Sequence, residues 1–254
     1  MKRSAILIYG ATSYAIFFAT FLYAIGFVGN LVVPKSVDSG TPGGWPEAVA
    51  INAALLTIFA LQHSVMARPF FKRWITRYIP GPAERSTYVL ASSVAFILLF
   101  WAWRPMPEMV FSIADETARA IITAVFLGGV SLVLYSTFLI DHFDLFGLRQ
   151  VVLHFRGRAY SEKSFVTPSL YKHIRHPLYV GWFVTFWATP EMSVGHLLLA
   201  IATTAYILVA IVFEERDLSH ILGPDYRSYR ARTPKFVPRI RGRREQPETV
   251  RSTA

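Results

Sequence analysis

The chain has 254 residues, of which 53% are hydrophobic and 17% are charged, and its mean hydropathy is +0.38. Globular chains are on average about a quarter charged, so this composition excludes an ordinary soluble domain. The formal net charge is +10, but the basic residues lie between apolar runs, where they indicate membrane topology rather than nucleic-acid binding. Because the chain has no cysteine, disulfides, a thiolate nucleophile and cysteine-ligated metal centres are excluded.

Five runs without any acidic residue, lysine or arginine are long enough to cross a bilayer, which takes about 20 apolar residues. They are residues 4–33, 48–66, 87–103, 121–140 and 194–213. The first run is far longer than the apolar part of a signal peptide, so we count it as a membrane helix. A further run, residues 178–190, has only 13 residues. We expect it to cross in part, to cross with help from the residues before it, or to form a re-entrant hairpin.

These runs predict an all-α, polytopic integral membrane protein with a bundle of about six transmembrane helices, or five and a short hairpin. We place them in a single domain, residues 1–238, followed by a basic tail, residues 239–254, that is predicted to be disordered. With six crossings, 23 of the 26 lysines and arginines fall on one side, and the other side has Lys35, Arg104 and Arg119. Cytoplasmic loops carry the excess of basic residues, so both termini are predicted to be cytoplasmic.

Most polar residues that fit neither the apolar runs nor the basic loops fall at the cytoplasmic ends of the predicted helices. Ionisable groups at membrane depth are costly and usually mark a functional site. The residues at this level are Gln62, His63, Asp141, His142, Asp144, His173, Arg175, His176, Glu214 and Glu215. We therefore predict a polar pocket that opens to the cytoplasm. His196 lies at the other end of its run and is predicted to be an interfacial residue without a role.

The stretch 170–181 is the most informative part of this set. Pro177 keeps His176 out of the helical conformation and suits the first position of a helix, so a helix is predicted to begin here. Its first turn has unpaired N–H groups and the positive end of the helix dipole, beside Arg175. A carboxylate or a phosphate would bind at such a place.

Two carboxylates return to the level of this helix start. The runs 178–190 and 194–213 form an antiparallel hairpin, so Glu214 and Glu215 lie near Arg175, and one of the two can pair with it. The other is free to meet a cation or ribose hydroxyls. Tyr226 and Tyr229 are three residues apart and are predicted to face the same way on a helix. Aromatic faces and carboxylates suit a sulfonium or ammonium ligand.

These residues carry a resemblance to a known family. The pattern is His-x-Arg-His-Pro-x-Tyr-x-Gly at 173–181, then a hairpin, Glu-Glu-x-x-Leu at 214–218 and Gly-x-x-Tyr-x-x-Tyr at 223–229. It resembles the cofactor-binding half of the isoprenylcysteine carboxyl methyltransferase superfamily, over about residues 165–235. Residues 61–67, 141–150 and 186–190 resemble its nurim branch. Within that branch the chain is similar over nearly its whole length to the bacterial methanethiol S-methyltransferases.

The resemblance implies a methyltransferase of the bacterial inner membrane that uses S-adenosylmethionine, without a metal, to convert methanethiol to dimethyl sulfide. Its partners would be a small thiol and membrane lipid, and no nucleic acid. As the donor-binding set it implies His173, Arg175, His176, Pro177, Tyr179, Gly181, Glu214, Glu215, Tyr226 and Tyr229. Arg175 or the helix N-terminus would meet the donor carboxylate, and Glu214 or Glu215 its ribose or its positive charge.

The acceptor side has fewer candidates, because a small apolar thiol needs few contacts. The ionisable groups at this level that the donor pattern does not use are His63, Asp141 and His142. A free thiol with a pKa of about 8.5 or above is mostly protonated at neutral pH, so a base or a positive field is needed. We take His142 or His63 as the candidate base, with Asp141 orienting it.

Other functions stay open at this stage. A structural, nurim-like membrane protein without an activity is one alternative, although the complete donor pattern argues against it. A methyltransferase that acts on an isoprenylated carboxylate is another, and so is a membrane reductase with a nicotinamide cofactor. A larger thiol or hydrogen sulfide could replace methanethiol as the acceptor. The sequence predicts no oligomeric state.

Overall fold

The computed structural model describes residues 2–161 and 165–238, so the predicted disordered tail lies outside the described residues. Five of its helices are long and apolar enough to cross a membrane. They are α1 (Arg3–Gly29), α2 (Trp45–Met66), α4 (Glu84–Ala102, with a preceding 3-10 turn Gly81–Ala83), α5 (Glu116–Ile140) and α9 (Val194–Ile221). The prediction of an all-α membrane bundle is confirmed.

Shorter elements connect the long helices. They are α3 (Pro69–Ile75), α6 (His142–Leu145), α7 (Leu148–Phe155), a 3-10 turn (Ser169–Lys172), α8 (Pro177–Trp187) and α10 (Pro224–Arg232). Sequence reasoning had no signal for β1 (Met109–Ser112) and β2 (Glu191–Ser193), which pair as an antiparallel two-stranded sheet. This sheet joins the end of α4 to the start of α9.

The two ends of the bundle have different chemistry. We call the end that contains the start of α1 and the ends of α2 and α9 the basic end. There Arg68 pairs with Asp217 at 2.7 Å, which links the end of α2 to α9. At the opposite end, Asn52 and the backbone of Arg104 exchange two hydrogen bonds, at 2.8 and 2.9 Å. The prediction that the cytoplasmic ends of several helices meet is thus confirmed for α2 and α9.

The helix of the short apolar run, α8, has 11 residues. At a rise of about 1.5 Å per residue it is roughly 16 Å long, about half of the hydrocarbon core of a bilayer. The chain continues through residues 188–190 to β2, so this segment reaches the opposite end partly without helical structure. α8 is not one of the five helices long enough to span, which fits a partial crossing among the alternatives that the sequence leaves open for this run.

Side chains of α9 form hydrogen bonds with the C-terminal end of α8. Nε2 of His196 donates to the carbonyl oxygen of Phe186 at 2.9 Å, and Nε1 of Trp187 donates to Oγ1 of Thr204 at 2.9 Å. Backbone polar groups at membrane depth must find partners within the protein. His196 is only 1% exposed and has a structural role, although the sequence assigned it none.

Glycines allow α5 and α8 to touch along their backbones. A Cβ atom added to Gly181 would lie 2.8 Å from the backbone nitrogen of Val133 and 2.9 Å from the carbonyl oxygen of Gly129. A Cβ atom added to Gly129 would lie 3.0 Å from the carbonyl oxygen of Gly181. Small residues permit such close helix crossings inside membranes. This contact fixes α8, and with it the first turn that contains Tyr179.

We expect Gly129→Ala to push α5 and α8 apart and to destabilise the protein by about 1–3 kcal/mol, the usual cost of overpacking. Gly128→Ala is the matched control, because no atom lies within 4 Å of an added Cβ atom there. Thermal unfolding of the purified proteins in detergent measures the difference. Equal stability of the two variants would contradict the close helix contact.

Candidate active site

A buried ion-pair cluster lies where α8 begins. Oε1 of Glu215 accepts hydrogen bonds from Nε and Nη2 of Arg175 at 2.9 and 2.6 Å, and from Nε2 of His176 at 3.0 Å. Its other oxygen lies 3.3 Å from Nε of Arg230. Glu215 is 2% exposed. The prediction that one of the two consecutive glutamates pairs with Arg175 is confirmed, and the structure identifies it as Glu215.

The same arginine attaches the segment that follows α10. Nη1 of Arg175 donates to the carbonyl oxygens of Arg230, at 2.9 Å, and Thr233. The backbone nitrogens of Arg175 and His176 donate to the carbonyl oxygens of Pro234 and Lys235, at 2.9 and 3.1 Å. Nε, Nη1 and Nη2 of the guanidinium are therefore all used inside the protein. The geometry makes this cluster a structural joint between α8, α9 and α10.

Glu214 has a different environment. Its Oε2 accepts a hydrogen bond from the hydroxyl of Tyr179 at 2.8 Å, and the side chain of Tyr171 lies close enough to interact with it electrostatically. Glu214 is half-buried. This hydrogen bond comes from a phenol and brings no positive charge to the carboxylate.

Tyr226 and Tyr229 lie on one face of α10, as predicted. Their ring centroids are 5.9 Å apart, and both rings contact Phe165 at 5.9 and 5.5 Å. The hydroxyl of Tyr229 donates to the carbonyl oxygen of Tyr171 at 2.6 Å. Burial raises the pKa of Tyr226 and of Tyr229 to about 12, so both are neutral phenols at neutral pH. Burial and the nearby Glu214 also raise the pKa of Tyr171.

The remaining residues of the predicted donor set have separate positions. His173 is exposed at the end of the 3-10 turn. Pro177 is buried in the first turn of α8, where its ring occupies the position that the sequence predicts for it. Gly181 faces α5 and makes the close backbone contact described above. The pattern at 173–181 thus combines residues with quite different surroundings.

His63 is hydrogen-bonded on both sides of its ring. Nδ1 lies 3.2 Å from Oγ of Ser92, and the hydroxyl of Tyr88 lies 2.7 Å from Nε2 and 3.0 Å from Nδ1, so its closer contact is with Nε2. Ser92 donates its only hydroxyl proton to the carbonyl oxygen of Tyr88, so it accepts from the imidazole. Nδ1 of His63 therefore carries the proton, and Nε2 accepts the proton of the Tyr88 hydroxyl.

His142 has the same arrangement with other partners. Oγ1 of Thr137 lies 2.8 Å from Nδ1 and donates its own proton to the carbonyl oxygen of Leu134, so Nδ1 carries the proton. Nε2 lies 2.8 Å from the hydroxyl of Tyr14 and accepts from it. His142 is 3% exposed, and burial lowers its pKa while the nearby Asp141 opposes this shift.

Asp141 shapes the turn that points His142 inward. Its φ is 136°, a value that residues other than glycine rarely adopt, and such strained positions are frequent at functional sites. Its Oδ1 accepts from the backbone nitrogen of Asp144 at 3.3 Å and so starts α6. Asp144 in turn pairs with Arg149 at 3.0 Å.

The structure divides the predicted residues among four places. Two of these are the cluster of Glu215 and the pair of Glu214 with Tyr179. The third place is that of His63, and His142 has a fourth place of its own, between α1 and α5. Sequence reasoning missed the hydroxyl partners of the two histidines, which are Tyr14, Tyr88, Ser92 and Thr137. A serine or threonine within an apolar run is the signal that could have found two of them, but such residues usually bond only to their own helix.

Comparison with known proteins identifies the family. The NnrU protein family matches residues 52–233. The chain belongs to this family. The chain is 54% identical to methanethiol S-methyltransferase 2 of Bradyrhizobium diazoefficiens, over 95% of this chain and 93% of the relative. It is 52% identical to the methanethiol S-methyltransferase of Mycobacterium tuberculosis, over 94% of this chain and 98% of the relative.

More distant relatives of this NnrU-family chain include nurim. Nurim of Sus scrofa is 30% identical over 74% of this chain and 78% of the relative. The resemblance to methanethiol S-methyltransferases and to nurim that the motifs indicate is therefore confirmed. No solved structure gave a significant match to the chain.

Glu215→Ala would leave Arg175 buried without its partner. We expect it to destabilise the protein by about 3–5 kcal/mol, the usual cost of breaking a buried pair. Asp217→Ala is the matched control two residues further along α9, because its pair with Arg68 is partly exposed and should cost at most about 1 kcal/mol. Thermal unfolding in detergent compares them, and an equal loss of stability would show that the Glu215 cluster is not the joint.

Proposed function

We propose that this protein is a membrane methyltransferase that transfers a methyl group from S-adenosylmethionine to methanethiol and forms dimethyl sulfide. The observation that carries the proposal is the identity of 54% and 52% to two proteins named methanethiol S-methyltransferase, over more than nine-tenths of each chain. Half-buried acidic and aromatic side chains at the basic end support it. The acceptor is a small thiol in this proposal, and the protein is surrounded by membrane lipid.

The residues present fit a cationic sulfonium donor. Glu214 offers a half-buried carboxylate, held by Tyr179, to its positive charge or its ribose hydroxyls. The ring of Tyr226, which is tilted by 59° against that of Tyr229, lies close to the two glutamates, which suits a cation as well. Because the guanidinium of Arg175 is used internally, we assign the donor carboxylate to the N-terminus of α8, where N–H groups lack helical partners.

The chemistry needs no further activation of the donor. A bound sulfonium supplies an already activated methyl group. The chain has to hold the acceptor sulfur in line with it and to take the proton of the thiol, because the thiolate is the nucleophile. His63 and His142, with Asp141 beside the latter, are the candidate groups for the proton. Both histidines are neutral in the hydrogen-bonded arrangement, so either can act as a base.

We place the protein in a bacterial inner membrane with both termini and the basic end in the cytoplasm. The support is the sequence distribution of lysine and arginine, of which 23 of 26 fall on one side when six crossings are assigned. A cytoplasmic site would meet the soluble donor directly. An apolar thiol would reach it through the lipid.

The purified protein in detergent tests the activity directly. We expect it to bind labelled S-adenosylmethionine in equilibrium dialysis and to form dimethyl sulfide from methanethiol, measured by headspace gas chromatography. Donor binding with methylation of an isoprenylated carboxylate instead would reassign the acceptor. Oxidation of a nicotinamide cofactor, or neither binding nor product, would favour a reductase or a structural nurim-like protein and overturn the proposal.

Glu214→Gln removes the charge that we assign to the donor and keeps the shape of the side chain. We expect donor binding to weaken by about 10-fold or more, in line with the roughly 1.5–3 kcal/mol of hydrogen bonds to charged groups. Asp225→Asn, at an exposed position in the first turn of α10, is the control and should bind as the unchanged protein does. An unchanged dissociation constant for Glu214→Gln would remove this residue from the donor site.

The absence of cysteine allows a direct test of topology. A single cysteine at the exposed Ser112 in β1 is expected to react with an impermeant maleimide added to intact spheroplasts. A single cysteine at the exposed Ser161 is expected to react only after the membrane is opened. The reverse pattern would place the basic end outside the cytoplasm, and reaction at both positions in intact cells would contradict a spanning bundle.

A further inference from the structure

Two histidines are candidates for the base, and the structure distinguishes them by what lies next to each. Tyr179, which holds Glu214, lies close enough to interact electrostatically with the hydroxyls of Tyr88 and Tyr206. The hydroxyl of Tyr88 donates its proton to Nε2 of His63, and its oxygen lies 2.7 Å from that nitrogen. The ring of Tyr206, which belongs to α9 as Glu214 does, lies 6.5 Å from the ring of His63. The pair of His63 and Tyr88 is therefore within electrostatic range of the tyrosine that holds Glu214.

The second pair has a different environment. The ring of His142 packs against Phe138, Phe143 and Phe146, and its phenol partner Tyr14 belongs to α1. Besides their mutual hydrogen bond and the contact of His142 with Oγ1 of Thr137, the neighbours of these two residues are aromatic side chains of α1, of α5 and of the segment around α6. This arrangement suits a buried structural hydrogen bond.

We propose that Tyr88 is a catalytic residue, which takes the proton of the thiol and passes its own hydroxyl proton to His63. This inference rests on the proposed function and adds a residue that the sequence pattern did not indicate. Ser92 is a positioning residue, because its oxygen accepts the Nδ1 proton and so leaves Nε2 of His63 free to receive a proton.

The step balances without another reactant. The S–H bond of the thiol breaks, its electron pair stays on sulfur, and its proton goes to the oxygen of Tyr88 as the phenol proton moves to Nε2 of His63. The sulfur pair forms the bond to the methyl carbon. The bond between that carbon and the donor sulfonium breaks, and its pair neutralises the donor sulfur. The imidazolium then releases one proton to water, and Tyr88 is again a neutral phenol.

The surroundings of Tyr88 favour this step. The guanidinium carbon of Arg85 lies 4.9 Å from the centroid of the Tyr88 ring, so a positive charge stabilises an anionic oxygen or sulfur nearby. Tyr88 is 7% exposed, which keeps water from competing with a small apolar thiol. Besides His63, the charged or titratable groups that face it are Arg68, Glu84, Arg85, Tyr179 and Tyr206.

The test is Tyr88→Phe, which removes one oxygen and keeps the ring. We expect kcat at neutral pH to fall by about 10²-fold or more, the usual contribution of a positioned acid–base group, with the donor dissociation constant unchanged within about 2-fold. The lost rate should recover as the pH rises, because water then supplies thiolate, and a structural role would not give this pH profile. His63→Ala should show the same profile.

Tyr23→Phe is the control at the opposite end of the bundle, where the tyrosine hydroxyl donates to the carbonyl oxygen of Lys35 at 3.0 Å. It should keep the rate of the unchanged protein. A normal rate for Tyr88→Phe, or a loss that is the same at every pH, would overturn the proposal. A pH-dependent loss in Tyr14→Phe instead would give the role to His142. If the unchanged protein makes no dimethyl sulfide, the proposed function itself fails.

Discussion

The buried carboxylate of Glu215 joins the three segments that form the basic end of the bundle. It receives hydrogen bonds from Arg175 and His176, just before α8, and an ionic contact from Arg230 in α10. Two desolvated charges are stable only while each has the other, so the joint does not tolerate loss of one partner. The orientation of the first turn of α8, which contains Tyr179, depends on this cluster at one side and on the glycine contact with α5 at the other.

The sequence was sufficient to predict the five long helices, because each contains an uncharged run of membrane length. It also predicted that a glutamate would meet Arg175, but it could not decide between Glu214 and Glu215. Successive residues of a helix point about 100° apart, and only the packing of α9 against α8 determines which of two faces inward. The rotation of α9 therefore makes Glu215 the structural carboxylate and leaves Glu214 as the one that is available to a ligand.

The predicted topology gave the depth of each polar residue in the membrane, but not its position within the membrane plane. The apolar runs predict His63 and His142 at similar depths in the membrane. The runs alone could therefore not decide which of the two is the better candidate for the base. Their phenol partners come from α4 and α1, and their Nδ1 partners, Ser92 and Thr137, bond to the backbone of their own helices as well. Such contacts depend on helix rotation and on neighbours far away in the chain. The early end of α8 and its closure by His196 depend on tertiary packing in the same way.

The proposed relay of Tyr88 and His63 is neutral, and this solves the problem of placing a base in a poorly hydrated site. A charged base would lose its hydration in such a site. This loss would destabilise the folded protein with or without bound substrate. A phenol that donates to a neutral imidazole has all its polar atoms paired and carries no charge until a thiol gives up its proton. The charge then forms beside Arg85, in surroundings where electrostatic stabilisation is stronger than in water. In the proposed site, the apolar environment that would admit the thiol thus also explains why His63 and Tyr88 form a neutral pair.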